Sequence, residues 1–589
     1  MHSTRPPEAA AETSPTPEID RPGLRRAVLD QVGRPAAVWL AVLVVAGLGH
    51  PFLPGYRWVL IHAFTLGVLG NSLLLWSERL SVRFLPRPRR GERTGGREPG
   101  APRARTEATP RWRAALFNLG AAAMLAADLA AEAWAESWSL TVCGAGLIAV
   151  AAVVQALVIA GRLRQARRCG RSPRTAPAVV GYVTSWLLMA CGAAVGAFMS
   201  AGPDGLVNRL RPAHVCLMVL GFVGLAAAAS LIVLFPALWR VNRLLRRPYL
   251  LLGGVAAGSL LAAVGFAADL APVACAGLVL YAAGWLAGLS GWLPVALRAG
   301  KASYPSLSAT CAAVWLVVIV AWYTVAVVRA GDAAGPAAPT TALLVAFGAQ
   351  LLFGTLSHLV PVGLRHRAPA GTAVASGGAV FRVVLFNLSF AVWQLAENSW
   401  LKVLASFICV GVLVAVPVLL VRAARVQLAG EGAGDGAGGS GDRADGDSGT
   451  SGAAGQAGLA VALIALLIAC FGGLSGAAGA AGPGGSGGSG GASAPAGDAD
   501  AVRVEVTAGD MVFSPDIVEV PAGSHVILEL VNEDSTAHDL AMANGARSGR
   551  LTPGESTEVD LGVVEGTLEG WCTIAGHRTR GMTLTVRAV

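Results

Sequence analysis

The chain has 589 residues, 54% of them hydrophobic and only 14% charged, with a net charge of +9. This composition excludes an ordinary soluble protein, because apolar runs of about 20 residues, each long enough to span a bilayer as a helix, recur along it. The positive charge lies between those runs without interleaved aromatics, so it marks membrane loops and predicts no nucleic-acid partner.

Residues 1–35 are polar and rich in Pro and Glu, and predict a disordered cytoplasmic tail with no cleavable signal peptide. Apolar spans are expected at 36–53, 57–76, 114–134, 138–160, 178–201, 213–236, 249–268, 272–297, 306–328, 340–362, 380–397, 400–421 and 458–474, about 13 helices in all. Arginines crowd the exits of the even-numbered spans, while most odd-numbered exits are short and poor in charge. Loops rich in Lys and Arg stay cytoplasmic, so the N-terminus is expected inside and the end of the last span outside. Residues 36–421 form the predicted polytopic domain. The Gly/Asp-rich stretch 429–457 and the Gly/Ala/Ser stretch 475–500 read as flexible linkers around the extra helix at 458–474. Cys470 ends ALLIAC, which has the form of a lipoprotein cleavage site; a chance match in an Ala/Leu helix is the competing reading.

Histidine is scarce in the helices, and an ionisable residue within a span is a functional candidate. His50, His62 and His214 fall near the outer ends of their spans by this topology, and His358 nearer an inner end. They read either as a haem or copper site or as interfacial histidines bonded to neighbouring helices.

After residue 500 the pattern changes to strand-like alternation in VRVEVTA, HVILELVN, STEVDLGVV and MTLTVRAV, separated by turns such as VPAGS and LTPGE. Residues 501–589 therefore predict a small all-β sandwich, carrying thirteen Asp/Glu against six Arg. Eight of the nine cysteines lie in or beside apolar helices; Cys572 alone lies in this domain. It is followed by His577 and Met582 as C-x4-H-x4-M, and His538 stands 34 residues upstream. Two imidazoles, one thiolate and a weak axial thioether are the donor set of type 1 copper. Zinc is the runner-up metal, although it usually takes harder or all-thiolate donors. Asn532 is placed to brace the loop through backbone bonds, His525 to stand solvated on a strand face, and Arg578 and Arg580 either to dock an acidic partner or simply to be solvated.

MVFSPDIVEVPAGSHVILELVNEDSTAHDL followed by WCTIAGHRTRGM resembles the cupredoxin family, electron-transfer domains of the plastocyanin and azurin kind, over residues 501–589. The resemblance implies a Greek-key sandwich with His538, Cys572, His577 and Met582 as copper ligands. NGARSGRLTPGES and LEGWCTIAGHRTRGM further resemble the module fused to membrane-anchored copper nitrite reductases of high-GC bacteria. Those enzymes carry two more cupredoxin-type domains with a catalytic copper; this sequence holds one, so nitrite reduction is not expected. HAFTLGVLGN, HVCLMVLGFVGLAAAASLIVLFPALWR and GTLSHLVPVGL resemble the membrane domain of NnrS-type proteins, which implies that His62, His214 and His358 are haem or metal candidates. The expectation is a multi-pass protein of the bacterial cytoplasmic membrane, with an all-α membrane domain and a tethered extracytoplasmic blue-copper domain. That domain would exchange single electrons with redox proteins at the outer face. A haem or copper enzyme or accessory protein of nitrogen-oxide metabolism, and a copper-handling protein, are the alternatives.

Overall fold

The computed structural model describes residues 21–53, 56–85, 111–131, 134, 136–168, 174–202, 204–299, 302–331, 333, 336–364, 370–396, 398–429, 456–461, 463–464, 501–509, 512–534, 536–572, 577 and 582–589. They belong to two compact units, a helical bundle and a β-sandwich. Ten described helices, from Tyr56–Arg83 to Trp400–Gln427, are long and apolar enough to cross a membrane. The sequence predicts thirteen, and the difference has physical reasons. Arg34–Leu48 has 15 residues; at 1.5 Å per residue such a helix rises about 22 Å, short of a hydrocarbon core of roughly 30 Å. Arg111–Leu129 opens with Arg111 and Arg113 and falls outside the ten. The last run is described only over 456–461 and 463–464, and Cys470 and most of both linkers lie outside the described residues.

Three of the ten helices are wound partly as π-helix, over Ala63–Gly70, Cys216–Gly224 and Leu343–Ala349. The π form is rare, usually a single turn, and frequent at functional sites. Side chains take carbonyls in these segments: Asn71 Nδ2 donates to Gly67 O at 2.8 Å, and the Tyr281 hydroxyl to Leu220 O at 3.2 Å. Elsewhere small residues let backbones meet. A Cβ at Gly277 would strike the backbone of Ala262, so helices Pro248–Ala267 and Ala271–Ala299 pack closer there than any larger residue permits. A buried ion cluster ties Tyr56–Arg83 to two more helices, Arg111–Leu129 and Ser137–Arg168. Glu78 accepts from Arg113 at 3.1 Å and from Arg162 at 2.6 Å, and Arg113 also donates to Gln155 at 2.5 Å.

In the β unit, alternation of apolar residues buries one face of each long strand. The strands are β1 (Val502–Gly509), β2 (Val512–Ser514), β3 (Ile517–Val520), β4 (Ser524–Asn532), β5 (His538–Met542), β6 (Arg547–Leu551), β7 (Ser556–Val564), β8 (Leu568–Trp571) and β9 (Thr583–Ala588). They make two sheets, β2-β1-β4-β7 and β3-β9-β8-β5-β6. β1 runs parallel to β4 and β3 parallel to β9, while the other pairs are antiparallel. Val506, Val526, Leu528, Leu530, Leu584 and Val586 are fully buried between the sheets. Near the end of β7 the register with β4 shifts between Val526 and Ile527, opposite Gly562 at φ 67°. A bulge of this kind needs the left-handed conformation that glycine adopts without strain.

Candidate metal centre

The five-stranded sheet and its β8–β9 connection bring His538, Cys572 and His577 together, with Met582 joined to Cys572 and His577 by backbone bonds. His538 is the first residue of β5, Cys572 follows the end of β8, and Met582 immediately precedes β9. Trp571 pairs with Thr583 across β8 and β9, and beyond that pair the Cys572 amide donates to Met582 O at 3.2 Å. The Met582 amide in turn donates to His577 O at 3.1 Å, which closes the loop on itself. His538 and Met582 are fully buried and Cys572 is 1% exposed, while His577 is half-buried.

His538 Nδ1 lies 3.2 Å from His577 Nδ1, and His577 Nδ1 lies 3.5 Å from Cys572 Sγ. The donor atoms of His538, Cys572 and His577 all lie within 4.8 Å of one another. With metal–nitrogen bonds of about 2.0–2.1 Å and metal–sulfur bonds of about 2.3 Å, these two separations subtend roughly 103° and 107° at a common ion. Both angles lie a little below the tetrahedral value, so each of these two pairs of donor atoms is spaced to share one first-row metal ion.

The ring of His538 is oriented for that role. Its Nε2 faces Asp534 Oδ2 at 2.8 Å and Thr536 Oγ1 at 3.1 Å. A carboxylate only accepts, so Nε2 carries the proton and Nδ1 keeps its lone pair for the metal. Asn532, buried at the end of β4, braces the segment. Its Nδ2 donates to Thr536 O at 2.9 Å and to Leu551 O at 3.0 Å, and its Oδ1 accepts from the Asp534 amide at 3.0 Å. Glu555 secures the adjoining turn by accepting from the Thr552 amide, a bond that holds its carboxyl below the ordinary range. The Cys572 thiol donates to Asp539 Oδ1 at 3.2 Å, and that proton must leave before the sulfur can ligate.

The bracing role expected of Asn532 is present as hydrogen bonds. The roles of Asp534, Thr536 and Asp539 were not anticipated, although all three stand in NEDSTAHDL within four residues of His538. An acidic residue four positions before a candidate ligand histidine was the available signal. His525 stands on an exposed strand face, as expected, and has a partner there. It is bonded through Nε2 to Asp560 Oδ1 at 2.6 Å across β4 and β7, because its strand face meets an acidic one. The Gly562 amide and then His525 hold the Asp560 carboxyl below its ordinary range. Arg578 and Arg580 lie outside the described residues.

In the helical unit, His62 and His214 come within electrostatic reach of each other. Each stands at the entrance to a π-helical segment. His62 Nδ1 bonds Trp58 O at 2.9 Å and its ring stacks on Trp58, with centroids 3.8 Å apart. His214 Nδ1 bonds Gly192 O at 3.0 Å. A carbonyl also only accepts, so both rings carry the proton on Nδ1 and keep the lone pair on Nε2. His358 has Arg240 as its electrostatic neighbour, and His50 bonds Gly47 O at 2.8 Å on the exposed surface.

The fold and the donor cluster together define the C-terminal unit as a cupredoxin-like domain. Residues 464–586 match the family model described as the cupredoxin-like domain. Two solved structures are similar to the same part of the chain. A structure of auracyanin B is 23% identical, covers 15% of this chain and 95% of its own, and has a TM-score of 0.14. Dithionite-reduced auracyanin from the photosynthetic bacterium Roseiflexus castenholzii is 16% identical, covers 15% and 98%, and has a TM-score of 0.15. No curated protein sequence matches the chain.

Proposed function

We propose that the chain is a membrane-anchored type 1 copper protein that passes single electrons at the outer face of the bacterial cytoplasmic membrane. The observation that carries this reading is the cluster of two imidazoles and one thiol, two of its three residues buried, closed by backbone bonds through Met582. Soft sulfur donors combined with imidazoles favour copper over zinc. Copper held there would alternate between its two oxidation states and carry one electron. Asp534 and Asn532 fix His538, so the donor atoms stay in place while the charge changes. His577 is the least buried of the four residues, and its edge offers the shortest route to a redox partner. The runs of arginine at alternate span exits support an outward-facing domain on a tether. The test is elemental analysis of the full chain purified in detergent. One copper per chain is expected, with loss in His577→Ala and Cys572→Ser; stoichiometric zinc with no copper would reject the reading.

A second reading rests on His62 and His214. Their Nδ1 atoms are anchored and Nε2 keeps its lone pair, so the two imidazoles would hold a haem or a second metal, in keeping with the NnrS-like and nitrite-reductase-related resemblances. His358 belongs to this candidate set through the resemblance alone. Haem absorption bands that disappear in His62→Ala and His214→Ala would support it, and their absence from protein purified from haem-replete cells would end it.

A further inference from the structure

We propose that the cleft between helices Tyr56–Arg83, Arg209–Leu238 and Thr340–Leu364 binds a neutral, membrane-soluble ring compound with acceptor oxygens, of the quinone class. These are the three helices that contain π-helical segments, and Leu69, Val223 and Gly348 bring all three segments to the cleft wall. The cleft has a volume of about 70 Å³. A water occupies about 10–15 Å³ on this measure, so the space equals roughly five waters, or one six-membered ring.

Its chemistry selects the ligand. No lining residue is charged, so an ionic group would lose its hydration there without compensation. Ser72 and Trp76 both line the cleft, and the Ser72 hydroxyl and Trp76 indole N–H are both buried without a hydrogen-bond partner among the described residues. Ser72 is 3% exposed. The two residues stand at i and i+4, one above the other on a single helix face. The other lining hydroxyls are already occupied. Ser230 donates to Ala226 O at 2.8 Å and bonds Tyr182, and Thr355 donates to Leu351 O at 2.8 Å. An indole N–H can only donate, so the ligand must present an acceptor oxygen. A neutral ring bearing carbonyl oxygens meets every condition. The ester carbonyls of a phospholipid share the acceptor chemistry, and the test separates the two sources.

The site does not depend on the copper reading, and it is tested on copper-free full chain in detergent by titration calorimetry with decylubiquinone. One saturable site per chain is expected. Ser72→Ala and Trp76→Phe each remove one donor without adding bulk and should weaken binding about tenfold. Gly348→Val keeps both donors but fills the cleft, and should abolish binding. A Cβ at Gly348 makes only ordinary contacts, with Leu69 at 3.4 Å, Leu343 O at 3.6 Å and Phe64 at 3.7 Å. Unfolding midpoints near that of the parent chain would show that all three variants are folded. The proposal is overturned by absence of saturable binding to the parent chain, by parent-like affinity in the folded variants, or by dioleoylphosphatidylcholine displacing the quinone at equal concentration.

Discussion

Asp534→Ala perturbs the metal centre without touching a donor atom. His538 is fully buried, and its Nε2 has the Asp534 carboxylate at 2.8 Å and the Thr536 hydroxyl at 3.1 Å. A hydrogen bond to a charged group contributes about 1.5–3 kcal/mol net, and the loss of an outer partner of a ligating histidine typically costs about 10–100-fold in metal affinity. Thr536 remains able to accept from Nε2 and offsets part of the loss, so a fall of about 30-fold, or about 2 kcal/mol, is expected. Asp534→Asn keeps an acceptor oxygen at roughly half the bond strength and should lose only about threefold. Competition for Cu(I) against a chromogenic chelator, on full chain in detergent, measures both. Parent-like affinity in folded Asp534→Ala would refute the claim that this carboxylate sets the ring.

Three further outcomes are expected. Gly277→Val should prevent the hairpin of Pro248–Ala267 and Ala271–Ala299 from closing, since its Cβ meets backbone at Ala262 that cannot give way; Gly253→Ala, with nothing within 4 Å, should be silent in the same thermal-unfolding assay. Glu78→Ala leaves Arg113, 1% exposed, without its carboxylate and should cost about 3–5 kcal/mol of stability, read from denaturation in detergent. Asp560 has a depressed carboxyl pKa, so its contribution to stability is present above its unfolded pKa, about 3.9, and is lost as pH falls through the folded value. Asp560→Asn should therefore destabilise slightly at neutral pH and flatten the acid side of the stability profile; an unchanged profile would remove the bond with Gly562 and His525 from the account.

The long strands were legible because period-2 alternation is strong in VRVEVTA, HVILELVN, STEVDLGVV and MTLTVRAV, which became β1, β4, β7 and β9 within one or two residues. β2, β3 and β8 have three or four residues each, too few for a period to show, and the parallel pairing of β1 with β4 is a property of connections that no local pattern encodes. The clustering of His538, Cys572 and His577 was legible from type and spacing in a domain with one cysteine. Asp534 and Asp539 were not, because in an acidic domain two more carboxylates look like solvated surface. The π-helical segments were hidden for a different reason. HAFTLGVLGN is as apolar as its neighbours, so hydropathy reveals a span but not how its backbone is wound. The apolar run at 36–53 is longer than the helix Arg34–Leu48 because it extends through His50–Phe52, where the winding changes to a short 3₁₀ turn at Pro51.

The most direct test of the central claim is the absorption spectrum of the copper-loaded full chain, oxidised and then reduced. A copper ion bonded to the Cys572 thiolate predicts an intense visible thiolate-to-Cu(II) band that bleaches on reduction and is missing in Cys572→Ser. A folded, copper-loaded chain with no such band would contradict it.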